Sequence, residues 1–377
     1  MRPTFLLICL VLLLIPAAHA QELPPCFERE RFIDPPWVNG QLFCLEQVMK
    51  DESAGELGFT ALAVADDGTL YAARPLHGQV MALFDVDGDS LPDESRVEVD
   101  GLTQPNALAW HDDALYIAGG AHVYRWQAGE LETLVDDLPT GAGFWTGGLA
   151  VDGERLYVAT GANCDFCEPD AGRGVIYSFA LDGGDRQLVA EGLRQPAALA
   201  FHDGALWAVD SARAGLFDTP DLDELNRVMP GAHFGWPYCV GASNTPDLPG
   251  AFDCVAATAP AFTFPTGSNP LALAAYTHDL FPSLQNHLLV VMGGTSNRVD
   301  LRGFGLVAVG FDEAGQPTGY DLVIPAETYN VQGFTLKEMN YRTSGFWPRH
   351  PCGVAVSPQG WVYVSVGGGQ ILALRPV

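Results

Sequence analysis

Short apolar runs alternate with polar turns along most of the chain, and the alternation repeats as one pattern. Each copy has an apolar run, a turn of Asp, Gly or His, and a second apolar run that holds an aromatic residue. Four clear copies are residues 60–73 (TALAVADDGTLYAA), 106–118 (NALAWHDDALYIA), 147–159 (GGLAVDGERLYVA) and 197–209 (AALAFHDGALWAV). Runs this short, separated by turn residues, predict antiparallel hairpins.

Two further copies extend the pattern to six. Residues 352–365 (CGVAVSPQGWVYVS) form a fifth, and a degenerate sixth begins at 270–276 (PLALAAY), with its second strand displaced to 288–294 (LLVVMGG). Two to four strands per copy, repeating at roughly 40–80 residues, are typical of a β-propeller. No amphipathic helical pattern competes, so we predict an all-β fold with a six-bladed β-propeller over residues 55–377.

This topology predicts which residues share a face. Residues just before the first strand and just after the second strand of each hairpin lie at the same end of the blade. They are Arg74, Gln104, Phe144, Trp145, Asn163, Arg194, Gln195, Asp210, Arg298, Arg349 and His350. The turn residues His111 and His202 fall at the opposite face, where we expect solvated turns.

The N-terminus has the features of a targeting segment. Arg2, an apolar run over residues 5–15 and small residues ending at Ala20 predict a secretory signal peptide over residues 1–20. The run is shorter than the roughly 18–20 residues that a membrane span needs, and no later segment is long and apolar enough. We therefore expect a secreted or periplasmic protein without membrane insertion.

Cysteine spacing fits an oxidising compartment. Cys9 is expected to leave with the predicted signal peptide, and residues 21–54 are predicted to form a disulfide-bonded extension before the propeller. Nearby zinc ligands are lacking around the C-D-F-C segment, and no His follows it, so a short-loop disulfide is favoured there over zinc or haem. The predicted pairs are Cys26–Cys44, Cys164–Cys167 and Cys239–Cys254. Cys352 is either free or paired in a way that the sequence does not indicate.

The net charge of the chain limits which kinds of molecule it is expected to bind. The net charge is −27, and the chain has only two lysines. Such an acidic surface repels nucleic acid and anionic membranes, so neither is a predicted partner. A polyanionic ligand is expected only where the few arginines gather.

One acidic segment predicts a metal site away from that face. Residues 85–94 (DVDGDSLPDE) offer carboxylates from Asp85, Asp87, Asp89, Asp93 and Glu94, with a Gly for a tight turn. Closely spaced carboxylates repel each other without a cation, and the spacing resembles a calcium loop, although the Gly comes earlier than in an EF-hand. We predict a structural Ca²⁺; a solvated acidic turn is the alternative.

Several motifs resemble one family, the soluble quinoprotein glucose/sorbosone dehydrogenases, which are six-bladed propellers that bind pyrroloquinoline quinone (PQQ) with calcium. They are residues 163–168 (NCDFCE), 192–196 (GLRQP), 223–226 (DELN), 235–239 (GWPYC) and 294–298 (GTSNR). The likeness covers roughly residues 55–377, and the DELN and GWPYC segments are its most specific part. It implies a PQQ cofactor and a small-molecule sugar or aldehyde substrate, and leaves the electron acceptor unassigned.

The resemblance implies a cofactor site built on arginine. Arg194 matches the family's cofactor-binding arginine, and Arg298, Gln104 and Gln195 fall on the same face. Because PQQ carries three carboxylates, the guanidinium fork suits it. Alternatively, these arginines pair with neighbouring carboxylates and hold loops. Trp145 is expected either to stack on the quinone plane or to pack structurally.

The chain departs from the family at the catalytic base. Phe144 stands where the family has the His that removes the sugar hydroxyl proton, and His350 is a weak substitute. Loss of general-base help typically lowers the rate by about 10²–10⁴-fold. Residues 210–220 also depart from the family's Gly-Pro calcium loop, which leaves calcium at the cofactor an open question.

Three functions follow from these patterns. The first is a PQQ-dependent sugar or aldehyde dehydrogenase, and the second is a non-catalytic propeller that keeps the fold as a binding module. The third is a lactonase-type hydrolase, which needs inward carboxylates where the strand ends here supply Arg, Gln and aromatic residues. The dehydrogenase is the leading prediction.

Overall fold

A computed structural model of the chain describes residues 23–89, 91–213, 222–240, 243–244, 252–295, 301–326 and 345–377. Within these ranges the protein is all-β, with helical structure limited to 3₁₀ turns at Cys26–Glu28, Glu52–Ala54 and Pro75–His77. The predicted six-bladed propeller is confirmed. No helix in the part of the chain that the structure describes combines the length and apolar character needed to cross a membrane.

The first three blades follow one another along the chain. Blade 1 contains β2 (Ala61–Val64), β3 (Leu70–Arg74), β4 (Gln79–Phe84) and β5 (Glu94–Val99). Blade 2 contains β6 (Pro105–His111), β7 (Ala114–Gly119), β8 (His122–Gln127) and β9 (Glu130–Val135). Blade 3 contains β10 (Thr146–Val151), β11 (Arg155–Thr160), β12 (Val175–Ala180), β13 (Gln187–Glu191) and β17 (Ala232–His233).

The remaining blades complete the ring. Blade 4 contains β14 (Pro196–His202), β15 (Ala205–Asp210), β16 (Asp223–Val228) and β20 (Phe262–Phe264), and a ribbon of β18 (Cys239–Val240) and β19 (Ser243–Asn244) lies outside it. Blade 5 contains β21 (Pro270–Tyr276), β22 (His287–Met292), β23 (Gly305–Phe311) and β24 (Pro317–Ile324). Blade 6 contains β25 (Pro351–Val356), β26 (Val362–Val366), β27 (Gln370–Pro376) and β1 (Phe43–Lys50).

The N-terminal segment closes the ring. Strand β1 pairs antiparallel with β27, from Phe43 opposite Pro376 to Lys50 opposite Gln370. Residues 43–50, assigned above to the extension, therefore supply the outer strand of the last blade. The Cys26–Cys44 disulfide anchors the segment before β1 onto that strand.

Apolar side chains pack mainly between neighbouring blades. The first strand of each blade lies beside the first strands of both adjacent blades, and β2 next to β25 completes the circle. These strands surround a cavity of only about 60 Å³, so their side chains fill most of the centre. The centre of the ring therefore leaves little room for a ligand.

The prediction of a solvated turn at His202 is wrong. Its exposed fraction is 3%, and its ring centroid lies 4.5 Å from that of Phe311, at the end of a strand in the next blade. The next blade covers this turn, which local sequence does not reveal. His111 remains partly exposed, with 24% of its side chain accessible.

Candidate functional site

Blades 3 and 4 bring three of the predicted residues together at one face. Phe144 precedes β10, Arg194 precedes β14 and Asp210 ends β15. The Arg194 guanidinium carbon lies 4.3 Å from the centroid of the Phe144 ring, which is a cation–π contact. Asp210 accepts hydrogen bonds from the backbone amides of Arg194 (2.8 Å) and Gln195 (2.5 Å). The predicted proximity of these strand ends is thus observed for these two blades.

Arg194 is buried, with an exposed fraction of 6%, and its polar groups are engaged. Its Nη1 donates to the carbonyl oxygen of Ser211 at 3.0 Å. Its Nε donates to Oδ1 of Asp165 at 3.1 Å, and its Nη2 donates to the same oxygen. The pairing with a neighbouring carboxylate, weighed above as an alternative, is present.

The backbone of Phe144 is held in place. Its amide donates to the carbonyl of Ala162 at 2.8 Å. Gly161 lies so close that an added Cβ would be 2.4 Å from the Cβ of Phe144, and Gly143 adopts a φ of +94°. Glycine is therefore required on both sides of this contact. The local structure fixes where a side chain at position 144 begins.

A second buried arginine supports the same loop. Arg173 is 4% exposed, and it donates to the carbonyl oxygens of Gly161 at 2.5 Å and Phe144 at 2.8 Å, with weaker bonds to those of Ala142 and Ala162. All the hydrogen bonds found for it in the described ranges end on carbonyls, and burial lowers its pKa. The guanidinium thus brings a positive charge to this loop, which the nearby Asp170 offsets only in part, and among the described residues it forms no ion pair within 4 Å.

Two other predicted residues border Arg173. Gln104 is exposed and Trp145 is 37% exposed, and both line a cavity of about 20 Å³ with Arg173 and Phe144. Both side chains are therefore accessible on the face that carries Phe144.

A larger cavity of about 440 Å³ opens beside Arg194. Its walls include the rings of Phe166, Phe234 and Trp236 and the Cys239–Cys254 disulfide. The Arg213 guanidinium carbon lies 3.8 Å from the centroid of the Phe166 ring. The cavity therefore combines aromatic surface with two guanidinium groups.

Two acidic side chains, Asp210 and Glu224, line this cavity, and a third, Asp223, lies next to it. Burial raises the pKa of Asp210 and of Asp223 to about 6, against the hydrogen bonds that backbone amides donate to them. Burial, with the charge of Asp210, raises the pKa of Glu224 to about 8. Asp210 and Asp223 hold the loops through the amides that donate to them, whereas Glu224, which lines the cavity, has its pKa raised furthest, which favours its protonated form.

Other residues that were predicted to lie on this face have partners away from Arg194 and Phe144. Arg74 pairs with Asp51 at 3.2 Å, and Arg349 donates to Oε1 of Gln370 at 3.1 Å. The Nδ1 atom of His350 is 2.6 Å from the carbonyl oxygen of Gly293. Arg298 and most of the 210–220 loop lie outside the described residues.

The acidic loop of blade 1 brings carboxylates together at the surface. Asp85, Asp87 and Asp89 are exposed, and one oxygen from each lies within 4.8 Å of the others. Asp93 accepts from the amides of Val86 (3.3 Å) and Asp87 (3.2 Å), while Glu94 begins β5. The carbonyl oxygen of Asp89 accepts from Nη2 of Arg375 at 2.9 Å, which ties the loop to the last blade.

The cysteine predictions are confirmed. The structure contains Cys26–Cys44, Cys164–Cys167 and Cys239–Cys254, and Cys352 is free and buried. Burial raises the pKa of the Cys352 thiol to about 12, which disfavours the reactive thiolate form.

Sequence patterns missed Asp165 and Arg173. Asp165 meets Arg194 across 29 positions of the chain, and Arg173 lies in the connection before β12. The two-cysteine segment was the one sequence signal that could have pointed to Asp165. The path of this loop towards blade 4, however, depends on tertiary structure.

Part of the chain is similar to one known family of propellers. The glucose/sorbosone dehydrogenase family model matches residues 178–301. The match runs from blade 3 to the connection after β22 and includes Arg194 and the DELN and GWPYC segments. No curated protein sequence matches the chain.

Solved structures show the same fold. An AA12-family carbohydrate-active enzyme from Trichoderma reesei has a TM-score of 0.72 at 17% identity, covering 91% of this chain and 98% of that one. The PQQ domain of pyranose dehydrogenase from Coprinopsis cinerea, in holo form, has a TM-score of 0.69 at 16% identity, covering 88% of this chain and 95% of that one. The soluble aldose sugar dehydrogenase from Escherichia coli has a TM-score of 0.62 at 16% identity, covering 88% of this chain and 99% of that one. Identities this low show a shared fold, and with the family match they confirm the resemblance.

Proposed function

We propose that this chain is a secreted or periplasmic PQQ-binding protein of the sugar and aldehyde dehydrogenase type, with Phe144 in place of the catalytic base. The family match over residues 178–301 carries the proposal, because it includes the arginine that meets Phe144. Three disulfides support an oxidising compartment. The resemblance also suggests a sugar or aldehyde as the small-molecule substrate.

The residues present fit a ligand with several carboxylates. Arg194 and Arg173 are both buried, and the hydrogen bonds of Arg173 in the described part of the chain end on carbonyl oxygens, with the charge of Asp170 offsetting its burial only in part. A buried cation without a carboxylate partner is energetically costly, so an anion bound nearby would stabilise it. Arg194, Gln195, Gln104 and Trp145 are the residues that would hold PQQ, together with Arg298.

When bound, PQQ would supply a quinone that accepts a hydride from the substrate. The protein's own residues would bind the carboxylates through guanidinium groups and place an aromatic wall at Phe144 and Trp145. The side chain of Phe144 cannot accept a proton, so the substrate hydroxyl lacks a base at that position. We therefore expect cofactor binding with slow sugar oxidation.

Reconstitution with PQQ tests the binding step. We expect purified protein to bind PQQ, seen in the absorbance spectrum and by calorimetric titration, with and without added calcium. Arg194→Ala should weaken binding by about 1.5–3 kcal/mol, the value of a hydrogen bond to a charged group. Arg125→Ala, which removes an arginine that pairs with Glu132 at the surface, is the matched control and should bind like the wild type. Equal affinity for both variants would contradict the role of Arg194.

A non-catalytic binding module is the second candidate. Phe144 favours it directly, because the ring packs on Arg194 where the family resemblance requires a proton acceptor. In this alternative the propeller keeps the fold and loses the oxidoreductase activity.

We also propose that Asp85, Asp87, Asp89, Asp93 and Glu94 bind a structural calcium ion. The three converging carboxylates support the site, and a calcium structure of the Trichoderma reesei AA12 protein has the same fold as this chain. Calcium at 100 times its dissociation constant would raise the free energy of unfolding by about 2.7 kcal/mol.

Thermal unfolding tests the calcium loop. We expect calcium to raise the melting temperature of the wild type and to have little effect on Asp87→Asn, which keeps the side-chain oxygen that accepts from the amide of Asp89. Asp112→Asn, in an exposed turn of blade 2, is the control. If Asp87→Asn responds to calcium as the wild type does, the loop is an acidic turn.

A further inference from the structure

The Cys164–Cys167 loop reaches from blade 3 across to blade 4. Besides the bonds from Arg194 to Asp165, the Phe166 ring lies under Arg213, and the Tyr238 hydroxyl donates to Oε1 of Glu168 at 2.9 Å. The disulfide closes this loop over only three positions of sequence. Asp165 and Phe166 in this loop, and Glu168 directly after it, thus contact three side chains that belong to blade 4 and its connections.

The two partners of the Arg194–Asp165 ion pair differ in how far they are exposed to solvent. The side chain of Arg194 is 8% exposed, whereas that of Asp165 is 47% exposed. Arg194 has two further anchors, the Ser211 carbonyl and the Phe144 ring, which hold the guanidinium in place. The carboxylate is already half exposed, so water can solvate it when it leaves the pair, whereas the buried cation requires an anion beside it. Of the two partners, Asp165 is the one that can be exchanged.

The hydrogen bonds lead to the same conclusion. Nε and Nη2 of Arg194 both donate to one oxygen of Asp165, Oδ1. A carboxylate that meets this edge of the guanidinium with both oxygens makes two parallel bonds, which is the stronger arrangement. Arg194 forms part of the cavity wall, so a ligand carboxylate in the cavity lies next to the guanidinium and is expected to take this arrangement if Asp165 leaves.

We propose that Asp165 is an internal carboxylate at the anion-binding position of Arg194, which a carboxylate of the ligand displaces on binding. This rests on the proposed function in that the site takes a carboxylate-bearing cofactor. Asp165 is then a specificity-determining residue, since it disfavours neutral ligands and weak anions at Arg194. The disulfide keeps the competing carboxylate close, so its effective concentration at the guanidinium is high.

Calorimetric titration with two probes tests this. The probes are PQQ and citrate, a tricarboxylate without redox chemistry, and the proteins are wild type, Asp165→Asn, Asp165→Glu and the double variant Asp165→Asn/Arg194→Gln. Without the competing carboxylate, we expect Asp165→Asn to bind citrate about tenfold more tightly than the wild type. Asp165→Glu should stay near the wild type, and the double variant should lose the gain.

A control variant separates local competition from overall charge. Asp137→Asn removes one negative charge from an exposed pair with Arg186 and should leave citrate affinity unchanged. If Asp165→Asn binds citrate no more tightly than Asp137→Asn, or if the gain survives in the double variant, the displacement proposal is wrong. Tighter citrate binding by Asp165→Asn without any PQQ binding supports displacement and counts against the PQQ function alone. PQQ binding that is equal in all four proteins overturns displacement.

Discussion

Glu46→Ala is expected to lower the free energy of unfolding by about 3–5 kcal/mol, the effect of removing one partner from a buried ion pair. The Glu46 side chain is 4% exposed and lies between two arginines. Its Oε1 accepts from Nη1 of Arg29 at 2.9 Å, and its Oε2 accepts from Nη1 of Arg375 at 3.3 Å. Removing the carboxylate leaves two buried cations side by side. Chemical denaturation of wild type and variant measures the difference.

The position of this carboxylate explains the expected size of the effect. Glu46 lies on β1, the strand that closes the ring, and Arg375 lies on its partner strand β27. Arg29, in the N-terminal segment, also donates to the carbonyl of Pro376 at 2.9 Å. The network therefore joins the N-terminal segment to the last strand, and its loss weakens closure of the propeller.

Glu132→Ala is the matched control for Glu46→Ala. Glu132 also lies on an outer strand and pairs with an arginine, Arg125, but its side chain is 57% exposed. Exposed pairs of this kind contribute about 0–1 kcal/mol. If the two variants unfold at the same denaturant concentration, the buried network does not hold the ring closed.

Local patterns predicted most of the fold because the two innermost strands of each blade form a hairpin that is contiguous in the chain. The closing strand was not predictable in this way: Phe43–Lys50 has buried residues in its first half and partly exposed ones in its second, without alternation. Its partner β27 is at least 320 positions away in the chain. Pairing over that distance depends on the geometry of the closed ring.

The candidate site was predictable only where strand ends fix positions. Phe144 and Arg194 both precede inner strands of adjacent blades, so topology alone places them together. Asp165 and Arg173 lie in the connections of blade 3, whose paths no periodic pattern determines. The burial of His202 was missed for the same reason, since a neighbouring blade supplies the cover.

Phe144→His is expected to raise sugar turnover of the PQQ-loaded protein by up to the 10²–10⁴-fold typical of a positioned general base. The backbone at position 144 is pinned by the Ala162 carbonyl and by Gly161, so the new imidazole starts from a defined place. The Arg194 guanidinium beside it favours the neutral imidazole, because a nearby positive charge lowers the pKa of histidine. A neutral imidazole is the form that accepts a proton. Steady-state oxidation of aldoses with an artificial electron acceptor measures the change.

Phe144→Leu is the control, since leucine is apolar like phenylalanine and accepts no proton. It should turn over sugar as slowly as the wild type, and the PQQ affinity of all three proteins should agree within a few-fold. Brisk turnover by the wild type would contradict this interpretation of Phe144 and point to another base, such as His350. In that case His350→Gln should abolish the activity, because glutamine cannot act as a base. If Phe144→His binds PQQ but oxidises sugar no faster than Phe144→Leu, the missing base is not what limits the chemistry, and the binding-module alternative becomes the better account of this propeller.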